Sequence, residues 1–254
     1  MCIRDSFIRY TTQTSQLSSD YILSLFANHN GSLWIGTDNG GLNKLNLKTG
    51  FFDVFMREEG NNYSISSNSI WSIYGDSEER VWLGTYNKGI NILDEKFRKF
   101  ELYQKNSLDS NSLPDNDVTS FAEDDNGNIW VATDGGGIAR FNPSERKFDL
   151  FLKNSDDHSS LSNNAVNAIL FDKNSNIWVG TWAGTIDRLD KHGNLIKSYS
   201  LFNKLGDGVN GIFSLYTDSK GRVWAMTAGS GLFHYISRED RFDQFYICSE
   251  HEIL

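Results

Sequence analysis

NIWVATDGGGIARFN (128–142) sets three glycines directly after an apolar run, and three glycines can cradle a phosphate. A phosphate loop of that kind opens a helix whose free N–H groups and dipole face the anion. Here Ile138, Ala139, Arg140 and Phe141 follow, an alternation that reads as a β-strand. The glycines therefore mark a turn between two strands. The same phrase returns as SLWIGTDNGGLNKLN (32–46), RVWLGTYNKGINILD (80–94), NIWVGTWAGTIDRLD (176–190) and RVWAMTAGSGLFHYI (222–236). Trp34, Trp82, Trp130 and Trp178 are 48 residues apart, and Trp224 follows after 46. Self-similarity at this period is the signature of a solenoid, propeller or array.

Each copy resolves into four short strands. The third runs as DVTSFAED (117–124), a turn at Asp125-Asn126-Gly127, NIWVAT, the glycine turn, GIARFN, a turn at Pro143-Ser144-Glu145, and KFDLF (147–151). Short β-branched and aromatic runs bounded by Gly, Asn and Asp turns are antiparallel meander signals, and no stretch suits an amphipathic helix. Four strands in 40–50 residues make one propeller blade. The expected fold is all-β, a β-propeller of five four-stranded blades at 17–55, 65–103, 113–151, 161–199 and 207–247. An orphan strand at 7–10 precedes them, and 1–254 forms a single partial domain. FIRY (7–10) matches the aromatic-x-x-aromatic pattern of the fourth strands, as in Phe52/Phe55 and Phe148/Phe151. The chain is accordingly expected to be a fragment that starts with the last strand of an earlier blade.

Columns of the repeat carry distinct jobs. The tryptophans read as core: burying about 150–250 Å² of indole at about 25 cal/mol per Å² gives up to about 4–6 kcal/mol each. Ser24, Ser72, Ser120, Ala168 and Ser214 form a small-residue column expected to interdigitate with them. Asn28, Asp76, Asp124, Asp172 and Asp218 open the first hairpin turn, where a short acceptor can bond backbone N–H groups two residues on.

Composition excludes several function classes. A net charge of −9 with scattered Lys and Arg repels phosphate backbones, so no nucleic-acid partner is expected. No apolar run reaches the length of a membrane span, so no membrane contact is expected within the segment. GDGVNG (206–211) satisfies a dinucleotide pattern but leads into a strand. Asp124, Asn126 and Asn128 have calcium-loop spacing, yet position twelve is Gly135, so the stretch reads as a hairpin turn. The five histidines and two cysteines never take metal-ligand spacing, and no G-x-S-x-G elbow is present. No catalytic residue, metal or cofactor is assigned.

The phrase D-x-x-G-x-(I/V)-W-(V/I/L)-G-T-x-x-G-G-(L/I), at Asp76 to Ile90, Asp124 to Ile138, Asp172 to Ile186 and Asp218 to Leu232, resembles the two-component regulator propeller repeat. Departures include Asn28 for Asp in the first copy, Ala132 and Met226 for the glycine after the tryptophan, Glu79 and Ser175 for the turn glycine, and Thr185 for a glycine of the pair. The resemblance implies an incomplete seven-bladed propeller from the periplasmic part of a hybrid two-component sensor. It also implies an oligosaccharide or other small ligand, and a histidine kinase outside this chain. The rest of the parent protein would then be a partner, with homodimerisation through it. Two other classes stand beside this: a protein-interaction scaffold, with an exposed apolar patch, and a propeller lyase or glycoside-acting enzyme, with converging acid and base groups of shifted pKa.

In a four-stranded blade the turn between second and third strands lies on the same face as the linker from the previous blade. Specificity belongs where a column there varies between copies. Two columns vary: Leu23, Trp71, Thr119, Asn167 and Phe213 on the first strand, and Asp38, Tyr86, Asp134, Trp182 and Ala228 in the turn. Trp71, Tyr86 and Trp182 offer flat faces for sugar rings, and Asn87, Asp134 and Asn167 offer orienting hydrogen bonds.

Overall fold

A computed structural model describes residues 8–94, 99–157, 159–203 and 205–245. Every regular element among them is a β-strand. The strands form five four-stranded antiparallel sheets, each in simple chain order. The first holds β1 (Ile22–Ala27), β2 (Ser32–Thr37), β3 (Leu42–Asn46) and β4 (Phe52–Phe55). The second holds β5 (Ile70–Gly75), β6 (Val81–Thr85), β7 (Ile90–Asp94) and β8 (Lys99–Tyr103). The third is β9 (Val118–Glu123), β10 (Ile129–Thr133), β11 (Gly137–Asn142) and β12 (Lys147–Phe151). The fourth is β13 (Val166–Phe171), β14 (Ile177–Thr181), β15 (Thr185–Leu189) and β16 (Leu195–Ser200). The fifth is β17 (Asn210–Thr217), β18 (Val223–Ala228), β19 (Gly231–Ile236) and β20 (Arg241–Gln244). These are the blades of an all-β propeller fold. Phe7 and Ile247 lie outside the described residues; Ile8 to Tyr10 carry no strand pairing, and Tyr10 rests edge-on against Phe52.

The chain divides into two compact units. Met1–Gln104 with Asn116–Val118 form the first, and Lys105–Asp115 with Thr119–Leu254 the second. In the first unit, Trp34 and Leu42 pack with Ile65 of the linker and with Ile70, Val81, Leu83, Leu93 and Phe100 of the following sheet. In the second, Trp130 and Ile138 pack with Leu161, Val166, Ile177 and Val179, and Trp178 and Ile186 pack with Val209, Ile212, Val223 and Phe233. The stripe running from second to third strand thus buries itself on the next sheet. Trp34, Trp82, Trp130 and Trp178 are at most 1% exposed. Trp224 departs from the expectation of full burial. Its stripe neighbours Met226 (49%) and Leu232 (42%) are open, because among the described residues no further sheet packs on them.

The small-residue column also behaves differently from the reading above. Ser24, Ser72 and Ala168 pair across the ladder with Gly36, Gly84 and Gly180, two residues past each tryptophan, and not with the indoles. A Cβ on Gly36 would meet Ser24 Oγ and lie 2.7 Å from the Ile70 carbonyl oxygen. Two thin columns side by side let the next sheet's inner strand approach at backbone distance. The Ser24 hydroxyl uses that proximity to donate to Ile70 O at 3.2 Å.

Three further devices fix the turns and linkers. The threonine closing each second strand donates its hydroxyl across the following turn: Thr37 to Gly41 O, Thr85 to Gly89 O, Thr133 to Gly137 O, Thr181 to Thr185 O and Thr227 to Gly231 O, at 2.7–3.2 Å. The turn aspartates do more than bond backbone. Asp76 Oδ1 accepts from the Glu78 and Arg80 N–H groups, while Oδ2 accepts from Arg80 Nε and, at 2.7 Å, from the indole Nε1 of Trp82. Asp124, Asp172 and Asp218 each hold their own indole in the same way at 3.0 Å.

The third device lies under the linkers. Asn43 and Asn91, both buried on third strands, accept from the backbone N–H of Ser18 and Ser66 at 3.0 Å, and Asp187 accepts from Ser162 at 2.7 Å. The residues at the matching positions of the third copy are Ala139 and Pro114. Proline has no N–H to satisfy, so the strand need not supply an acceptor there.

Candidate ligand site

Backbone bonds hold each second-to-third-strand turn against the linkers. The Asp38, Tyr86 and Trp182 N–H groups donate to the carbonyls of Tyr21, Ser69 and Ala165 in the preceding linker. Gly41, Gly89 and Gly137 donate to the carbonyls of Asn68, Asn116 and Asn164 at the end of the next. The variable turn column is therefore presented on a fixed frame, which the glycine-rich sequence alone would not provide.

In the first unit, Trp71 on β5 and Tyr86 just past β6 meet with ring centroids 5.0 Å apart and planes tilted 32°. Tyr86 is 52% exposed, so the pair presents an aromatic surface to solvent. Asn87 follows with φ +54°, a left-handed conformation that asparagine tolerates well, and its N–H is anchored on Asp117 Oδ1 at 2.5 Å. Beside this pair lies a cavity of about 330 Å³, lined among others by Asn39, Arg57, Ser67, Tyr86, Asn87 and Lys88. Asn39 and Asn87 hold the same turn position in successive copies, and both have positive φ.

In the second unit, Trp182 is 45% exposed and meets Phe213 edge-on at 5.2 Å. Its ring lies over Gly211, where an added Cβ would come within 3.1 Å of it. Asp134 bridges to Ala165, whose carbonyl also takes the Trp182 N–H. Asn167 on β13 is half-buried with its Nδ2 lacking a partner. The six predicted residues thus fall into two groups, Trp71, Tyr86 and Asn87 in one unit and Asp134, Asn167 and Trp182 in the other. Sequence reasoning missed Asn39, Arg57 and Lys88. Lys88 had a legible signal, since Gly40, Gly136, Gly184 and Ser230 hold its place in the other copies.

Shifted carboxylates lie away from these turns and are occupied structurally. Burial raises Asp124 and Asp172, but bonds from Asn128 and Trp130, and from Asn176 and Trp178, together with backbone N–H groups, outweigh it and hold both below the ordinary carboxylate value. Lys197, Tyr199 and Tyr235 bond Asp240 and hold it low as well. Burial pushes Asp187 up against the bonds from Ser198 and Ser162.

Sequence comparison matches the family "Two component regulator propeller" at residues 16–39, 64–87, 112–135 and 160–183, each stretch running from a linker to the turn just described. The chain carries two-component regulator propeller repeats. Its fold is similar to that of the extracellular domain of a hybrid two component system from B. thetaiotaomicron, at TM-score 0.78 and 24% identity over 93% of this chain and 31% of that one. A second such domain from B. thetaiotaomicron matches at TM-score 0.50 and 22% identity over 89% and 37%. Virginiamycin B lyase from Staphylococcus aureus matches at TM-score 0.67 and 16% identity over 90% and 71%. The chain spans about a third of the length of the two B. thetaiotaomicron domains. At these identities the likeness shows the fold. No curated protein matches the chain.

Proposed function

We propose that this chain is a ligand-sensing propeller segment of an extracytoplasmic sensor of the two-component type, that it takes oligosaccharides at its turn-and-linker face, and that the output kinase lies outside it. The repeat family and the likeness to extracellular domains of hybrid two component systems support the sensor reading. The observation that carries the ligand reading is the Trp71–Tyr86 pair, an exposed aromatic surface bordered by amide side chains on a rigid frame. Sugar rings present apolar C–H faces and hydroxyl edges, and such a surface meets both.

The likeness to a lyase raises the enzyme alternative. Against it stands the occupation of every shifted carboxylate among the described residues: Asp124, Asp172 and Asp218 hold indoles, Asp187 holds a linker, Asp190 holds its own turn through His192 and Asn194, and Asp240 binds two tyrosines. The test is calorimetric titration of the chain with neutral and acidic oligosaccharides, comparing wild type with Trp71→Ala, Tyr86→Ala and Trp182→Ala. Tyr86→Ala is expected to weaken a bound oligosaccharide at least tenfold, about 1.4 kcal/mol. Less than threefold loss in all three variants would place the ligand elsewhere.

A further inference from the structure

Oligosaccharides divide into neutral and acidic, and the cavity beside Tyr86 is not neutral. Arg57 and Lys88 both line it, both are exposed, and among the described residues neither side chain is engaged in an ion pair. Among the described residues, no carboxylate lines the same cavity. Asp38 is nearby, where its Oδ1 accepts from Ser69 Oγ at 2.7 Å. Glu58 and Glu59 line an adjoining cavity of about 350 Å³ whose wall Arg57 and Lys88 share, and Glu58 is held there by Asn61 Nδ2 at 2.7 Å.

The repeat supplies an internal control for these two cations. Arg57, Lys105 and Lys153 occupy one linker position in three successive copies. Lys105 is paired with Asp115 at 3.3 Å. The residues matching Asp115 in the neighbouring copies are Ser67 and Asn163, so Arg57 has no acid from that position. Lys88 then adds a second cation where the other copies carry Gly or Ser. An unpaired linker cation, Arg57, and one departure from the repeat, Lys88, thus meet in one cavity, next to the aromatic pair, in a chain whose net charge is −9. Unpaired cations beside an apolar platform suit an anionic group attached to a sugar ring, through charge-assisted hydrogen bonds.

Resting on the oligosaccharide reading above, we infer that the ligand of this cavity is an acidic sugar, whose carboxylate or sulfate is held by Arg57 and Lys88 while a ring lies on Tyr86. Ser67→Asp installs the acid that the third copy carries and neutralises Arg57 while leaving Arg57, Lys88 and Tyr86 in place. Lys88→Gln removes the other charge. The experiment titrates the full chain with tetragalacturonate, a chondroitin sulfate tetrasaccharide and xylotetraose, at low and at raised salt, with thermal unfolding to confirm that the variants fold. An acidic oligosaccharide is expected to bind more tightly than xylotetraose, to weaken at least tenfold in each variant, and to weaken with salt. The galacturonate and chondroitin arms separate carboxylate from sulfate. Preference for xylotetraose overturns the acidic assignment and leaves the oligosaccharide reading intact. Acidic binding unchanged in both variants overturns the assignment to this cavity. Binding of none of the three overturns both readings.

Discussion

The first hairpin turns of the first and second sheets read NHNGS (28–32) and DSEER (76–80), and their opening residues, Asn28 against Asp76, leave their tryptophans in different states. Trp34 and Trp82 are equally buried, at 1% and 0% exposure. Trp82 donates its indole N–H to Asp76, whereas the Trp34 Nε1 is buried without a partner. A carboxylate has two oxygens, so Asp76 can serve backbone with one and indole with the other. Asparagine has one acceptor, and in the first turn the work is redistributed: Ser32 N–H, the counterpart of the Arg80 N–H that Asp76 takes, goes to Asn30 Oδ1 at 3.1 Å. Ring burial is thus set by sheet packing, and the indole hydrogen bond is an addition to it. Leaving a buried donor unmet costs about 1–3 kcal/mol.

The largest effects come from deleting the rings. Trp34→Ala and Trp82→Ala should each cost about 3–5 kcal/mol in urea unfolding, as large-to-small changes in a packed core do. Trp82→Ala should cost more, because it also abandons a hydrogen bond; equal costs would mean that the bond contributes nothing net. Next comes Asp76→Ala, which strips the indole, the Arg80 guanidinium and two backbone N–H groups of their acceptor and should cost about 2–3 kcal/mol. Asn28→Ala should cost under about 1 kcal/mol. Asn28→Asp runs the comparison in reverse: an acceptor for Trp34 should add about 1 kcal/mol and raise the melting temperature by about 2–4 °C. No gain would show that the first turn cannot adopt the geometry of the second.

Acid sharpens the comparison further. Asp124 and Asp172 have folded-state values below the usual 3.8, so the stability they contribute is present above the unfolded value and is lost as pH falls through the folded one. Stability measured between pH 5 and 2 should therefore fall less steeply in Asp124→Asn than in wild type. Asp187 has the opposite sign. Its folded value is raised, so its charge opposes folding increasingly as pH rises from 3.8 through that value and constantly beyond. Asp187→Asn, which installs the residue found as Asn43 and Asn91, should be slightly more stable than wild type at neutral pH and indistinguishable well below 3.8.

Much of this fold was legible because a repeat displays its constraints several times. The tryptophan period gave the sheets, and the Asn, Asp and Gly turns gave their strands. The indole bond was less visible, although aspartate and tryptophan stand six residues apart in four copies, because a turn aspartate already has a sufficient local explanation in backbone bonding. The glycine two residues past each tryptophan entered the sequence reading only as a letter of the repeat, when its meaning at Gly36 and Gly84 is contact with a strand 34 residues further on. At the candidate site, Trp71 and Tyr86 stood out as aromatics in variable columns. Arg57 did not, since a linker cation acquires significance only when the acid beside it is missing, and that requires the pairing of Lys105 with Asp115 for comparison.

The acceptor under each linker has a consequence for recombining these repeats. Ser18 goes with Asn43, Ser66 with Asn91, Ser162 with Asp187, and Pro114 with Ala139, so donor and acceptor are inherited as a pair across 25 residues. A graft that carried the linker of the third copy into the second would leave Asn91 facing an imide ring, and the reverse graft would bury a serine N–H over an alanine methyl. The heritable module is therefore the stretch from linker through third strand. Cross-over points that respect it fall in the turns before fourth strands, where a chimaera would break no such pair.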